Sequence, residues 1–150
     1  MLRLTFAGMR SFYFLSFLFL FLCACHNNNE EPKQISSEND ADAARNFIRA
    51  ALDGQFSRAR SYMLRDSLNN QLLDVIENNY QQRMNSEDKR GYRESSINMH
   101  SIRQTSDSTS IISYSNSYMK KNDSLRVLKV NGQWLVDFKY SFPRTDSTKK

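Results

Sequence analysis

Leu125-Arg126-Val127-Leu128-Lys129-Val130-Asn131-Gly132-Gln133-Trp134-Leu135-Val136-Asp137-Phe138 is two alternating runs joined by Asn-Gly. Asparagine and glycine both tolerate the positive φ of a two-residue type I′ turn, so the stretch predicts a β-hairpin. The turn sets the register: Val130 opposes Gln133, Lys129 opposes Trp134, Val127 opposes Val136, Arg126 opposes Asp137 and Leu125 opposes Phe138. Upstream, 120–123 reads as a second turn, and from Ile97 the hydrophobic period is two. Strands are predicted over 97–104, 110–119, 124–130 and 133–140. Alternation then gathers Ile112, Tyr114, Asn116, Tyr118, Leu125, Val127, Trp134, Val136 and Phe138 on one face. The other face, with Ser113, Ser115, Ser117, Arg126, Leu128, Leu135 and Asp137, is expected to be mostly wet. Arg126–Asp137 would be an exposed cross-strand pair, worth about 0.3 kcal/mol.

An antiparallel sheet with one apolar face needs a cover, and the residues before it have helical spacing. A first helix starts at Asn39 or Asp40, either able to cap it, carries Ala43, Ala44, Phe47, Ala51 and Leu52, and stops at Gly54. A second spans about 56–64. The third shows Leu68, Leu72, Val75, Ile76 and Tyr80 as one apolar stripe, opposite Asn70, Gln71, Asp74, Glu77 and Asn78. The charged segment 86–96, which contains Gly91, either extends that helix briefly or crosses to the sheet. The predicted fold is α+β: three N-terminal helices packed on a curved four-stranded antiparallel sheet, one domain over 40–142.

The first two dozen residues are of another kind. Arg3 and Arg10 precede an apolar run from Ser11 to Leu22, rich in phenylalanine and too short for a membrane-spanning helix, which takes roughly 20 residues. The run ends in Leu22-Cys23-Ala24-Cys25, which resembles the signal of bacterial lipoproteins, cut before a cysteine that then carries lipid. Cys25 has Leu22 at −3 and small Ala24 at −1, whereas Cys23 has a bulky leucine at −1, so Cys25 is the expected lipidation site. Residues 1–24 are then a signal peptide, 25–39 a lipidated cysteine and polar tether, and 143–150 a disordered tail. His26 rather than aspartate after the cysteine implies, by resemblance to lipoprotein sorting, the outer membrane; Glu30-Glu31 resembles a surface-export tag.

Composition narrows the function classes. Loss of Arg3 and Arg10 leaves 19 basic against 16 acidic residues, about +3, evenly mixed and without a basic stripe; nucleic acid is not an expected partner. Once Cys25 is acylated no thiol remains for a disulfide, a zinc site or a nucleophile. Four glycines, none clustered, make no phosphate loop. His100 has no partner at ligand spacing, so no metal or other cofactor is expected, and Met63, Met84, Met99 and Met119 read as scattered gap-fillers.

The helix ending Ala50-Ala51-Leu52-Asp53-Gly54-Gln55-Phe56, taken with the closing Val130-Asn131-Gly132-Gln133-Trp134-Leu135-Val136, resembles small bacterial lipoproteins with a nuclear transport factor 2-like (cystatin-like) fold. The resemblance implies a cone-shaped domain whose mouth, in ketosteroid isomerase-like and SnoaL-like relatives, holds a ligand or an active site. Those enzymes put an Asp or His beside a Tyr inside the cone; here Asp137 falls on the wet face. Tyr114, Asn116, Tyr118 and Trp134 are the candidate residues for binding a small amphipathic ligand, and no catalytic residue is assigned. The expected role is a non-catalytic binding or interaction module, held to the membrane by its lipid, with a small ligand or an envelope protein as partner. A small isomerase- or dehydratase-like enzyme and a structural subunit of an envelope complex are the alternatives.

Overall fold

A computed structural model describes residues 35–142. Four helices precede the sheet: α1 (Asp40–Leu52), α2 (Phe56–Ser61), α3 (Ser67–Gln82) and α4 (Ser86–Glu94). Four strands follow: β1 (Ile97–Ser106), β2 (Thr109–Asn116), β3 (Asp123–Val130) and β4 (Gln133–Asp137), with a short 3₁₀ turn at Phe138–Ser141. The protein is α+β, and its sheet is an antiparallel meander in the order β1-β2-β3-β4.

Each longer helix begins on a short polar side chain that satisfies an orphan amide of the first turn. Asn39 Oδ1 accepts from Asp42 N, Asp66 Oδ1 from Asn69 N and Asn85 Oδ1 from Asp88 N, at 2.8–2.9 Å. Helix α1 ends at Gly54, whose φ of +74° suits glycine. A side chain there would also strike the ring of Tyr80, 2.6 Å from an added Cβ.

The hairpin forms in the predicted register, with Arg126 paired to Asp137, Val127 to Val136, Lys129 to Trp134 and Val130 to Gln133. Its turn has positive φ at both Asn131 (51°) and Gly132 (81°). Register stops at Asp137, however. The chain turns into the 3₁₀ segment, so Phe138 does not oppose Leu125 but stacks on Phe47 of α1, ring centroids 5.2 Å apart. Strand β4 has a second neighbour in residues 62–64. Leu64 N donates to Val136 O and Val136 N to Tyr62 O, both 2.9 Å, in a parallel bridge. Strand β1 skips register at His100 and again at Thr105, and its other edge is unpaired among the described residues.

One core joins Ala43, Ala44, Phe47 and Ile48 of α1 and Phe56 and Ala59 of α2 to Leu73, Tyr80, Ile112, Leu125, Val127 and Val136. Each fully buried aliphatic contributes about 1.5–3 kcal/mol. Three expectations are corrected here. The buried face of α3 is Asn69, Leu73 and Tyr80 with Ile76 packed against the core, so Ile76 and Tyr80 of the expected stripe face inward while Leu68 and Val75 are exposed (51% and 56%). Residues 86–94 form a helix of their own. The face expected to be wet is buried along β4, where Leu135 and Asp137 are 3% and 1% exposed.

Candidate functional site

The four expected ligand residues go to different surroundings. Tyr114 is half-buried beside its cross-strand partner Asp123; burial, then the Asp123 carboxylate, pushes its hydroxyl well above the usual tyrosine range. Asn116 closes the turn after β2: its Oδ1 accepts from Met119 N (2.8 Å) and its carbonyl from Lys120 N (2.9 Å), with Lys120 at φ 56°. An asparagine does this because its side chain mimics a backbone acceptor. Trp134 is partly buried against the core, with Lys129 Nζ 5.5 Å from its ring centroid. Tyr118 lies beyond the end of β2, 39% exposed, and reaches α4 rather than the inner face.

Tyr118 and α4 together enclose a cleft of about 430 Å³ lined by Met84, Asp88, Tyr92, Tyr118 and Met119. The hydroxyl of Tyr118 donates to Asp88 Oδ1 at 2.6 Å, and its ring meets that of Tyr92 edge-on, centroids 5.1 Å apart at 65°. Gly91 makes this approach possible, since a Cβ there would stand 2.3 Å from the Tyr118 ring. Asp88 and Glu87 are acidic neighbours of the two hydroxyls. The bond to Asp88, burial and the nearby charges of Asp88 and Glu87 raise the Tyr118 hydroxyl; burial and Asp88 raise that of Tyr92. Asp88 pairs with no lysine or arginine among the described residues. Met84 packs against the core, as a gap-filler does, and also lines the cleft, whereas Met119 is 52% exposed.

No residue of α4 is buried. The helix is held partly from α1: Arg49 donates to the carbonyls of Tyr92 (3.1 Å) and Arg93 (3.2 Å) in its last turn and of Ser95 (2.7 Å) just beyond it. Asp53 pairs with the same guanidinium at 3.0 Å.

Asp137 is the other polar centre, and it is not the exposed acid that alternation suggested. Arg126 donates to it through both Nε (2.9 Å) and an Nη, Lys139 Nζ at 2.8 Å and Asn69 Nδ2 at 3.2 Å. Asp66, the cap of α3, holds Lys139 Nζ (2.6 Å) and Asn69 Nδ2 (2.8 Å), and Asn69 Oδ1 accepts from Lys139 N (2.8 Å). Burial would raise the Asp137 carboxyl, but its bonds from Lys139, Arg126 and Asn69 outweigh that and hold it below the ordinary 3.8. Nothing in the sequence flagged Asn69, a polar residue turned into the buried side of an amphipathic helix.

His100 is exposed at the first bulge of β1, bonded to Ser115 Oγ at 2.9 Å. Among the described residues no three His, Cys, Asp or Glu side chains come together as metal ligands, and no helix is long and apolar enough to cross a membrane. Cys25, the rest of the signal segment and the tail 143–150 lie outside the described residues. Set against protein-family models, curated proteins and solved structures, the chain matches none of them.

Proposed function

We propose that this is a lipid-anchored envelope protein, attached through Cys25, whose domain is a nuclear transport factor 2-like cone acting as a non-catalytic binding or interaction module. Helices followed by a four-stranded antiparallel meander support the fold assignment. The observation that carries the non-catalytic reading is Asp137. A general base needs a lone pair free to take a proton, and this carboxylate, 1% exposed, is engaged by Arg126, Lys139 and Asn69 and held ionised.

Two measurements test the two halves. Metabolic labelling with palmitate should mark the wild-type chain and not Cys25→Ala, and the variant should leave the membrane fraction; an unlabelled wild type would remove the anchor. Asp137→Asn should lower stability by about 2–3 kcal/mol, since it leaves two cations short of their partner. A variant that keeps its melting temperature would show that these bonds do not secure the carboxylate and would remove the observation on which the non-catalytic reading stands.

A further inference from the structure

We infer that the cleft between α4 and the turn after β2 is a binding site for an alkylated ammonium ion, built from Asp88, Tyr92, Tyr118, Met84 and Met119. The inference rests on the reading of this domain as a binding module and names the ligand class. Tyrosine rings are negative over their faces and attract cations, and methionine sulfur is polarizable and adapts to a methylated surface. Two such rings, held at 65° with centroids 5.1 Å apart, and two such thioethers line the cleft beside the carboxylate of Asp88. No lysine or arginine among the described residues neutralises that carboxylate, so it is left to attract a cation from outside.

The kind of cation follows from what the cleft lacks. A calcium or magnesium ion needs six or more oxygen ligands, and the lining offers one carboxylate, already accepting from Tyr118. A primary ammonium brings three N–H donors and would leave most of them unmet once it lost water. A fully methylated nitrogen has no donor to satisfy, is weakly hydrated and fills an aromatic wall with its methyl groups. Gly91 supports a built site, because a helix-weakening residue stands where it lets Tyr118 lie against α4.

The test uses the full-length chain in a non-ionic detergent, labelled with ¹³C at the methionine methyls. Choline is the probe, and 3,3-dimethylbutan-1-ol, its neutral isostere, the control. Choline should shift the Met84 and Met119 signals, with the isostere at least about tenfold weaker, and Asp88→Asn should reduce choline affinity about tenfold without changing the response to the isostere. Equal affinity for the two probes, or no shift at either methionine, would overturn the site. Glycerophosphocholine separates the sources: affinity like that of choline assigns a lipid headgroup, and markedly weaker binding assigns a free cation, the same groups holding the nitrogen in both. Palmitate labelling reports on the anchor independently, so a silent cleft in a labelled protein fails the cation site alone.

Discussion

At the scale of single residues, Asp137 joins three elements: β3 through Arg126, α3 through Asn69 and the 3₁₀ turn through Lys139. Its bonds have a definite pH signature. The Asp137 and Asp66 carboxyls lie lower in the folded protein than their ordinary 3.8, so the stability they add is complete above that value and is lost as pH falls through the depressed folded values. For Lys139, burial opposes the charge but the bonds to Asp137 and Asp66 win and raise it above 10.5, so its contribution is present below that value and lost as pH rises through the folded one. Melting curves of wild type and Asp137→Asn should differ most between about pH 4 and 10, converge in strong acid and only narrow in strong base, where Arg126 stays charged against Asp137; a constant gap into strong acid would detach the cluster from acid unfolding. The pairing of Arg126 with Asp137 was legible from the Asn-Gly turn, but its burial was not. Alternation assigns a residue to a face and does not say that residues far away in sequence, here Asn69, cover that face.

At the scale of elements, the hairpin was readable because its turn chemistry and its alternation are both local. Helix α4 was not, although Asn85 and the acidic Glu87-Asp88 after it are a start signal. Gly91 and the lack of any apolar stripe hid it, since what stabilises α4 is a guanidinium from α1 and a tyrosine ring from beyond β2. Replacing Arg49 by alanine should therefore loosen α4 alone: amide exchange over 86–94 should accelerate at least about tenfold while β2 and β3 keep their protection. Faster exchange throughout would make Arg49 a core residue instead. Gly91→Ala tests the other support. Alanine should favour the helix by about 1 kcal/mol, yet the single variant should be destabilised because it displaces Tyr118. In a Tyr118→Ala background the same change should turn stabilising, a sign reversal that urea unfolding midpoints would reveal. The expected face of α3 held at Ile76 and Tyr80 but not in the first turns, where the helix turns Asn69 inward to complete the Asp137 cluster and leaves Leu68 exposed.

At the scale of the whole molecule, the four expected ligand residues lie in different surroundings: Asn116 shapes a turn, Tyr118 reaches α4, and Tyr114 and Trp134 pack toward the core. Tyr118 lines a cleft against α4 rather than the inner sheet face that alternation assigned it, because β2 ends at Asn116 and the strand's parity no longer applies beyond that turn. The two ends of the sheet also differ. Residues 62–64 bond along β4, while β1 is interrupted at His100 and Thr105. A flat free strand is a template on which further chains can stack, and high local concentration multiplies such encounters. This sheet offers a smooth template at neither end. One edge is covered at Val136 by the bridge to residues 62–64 and the other is broken twice, which should keep neighbouring copies from polymerising at densities where an unguarded meander would seed fibrils.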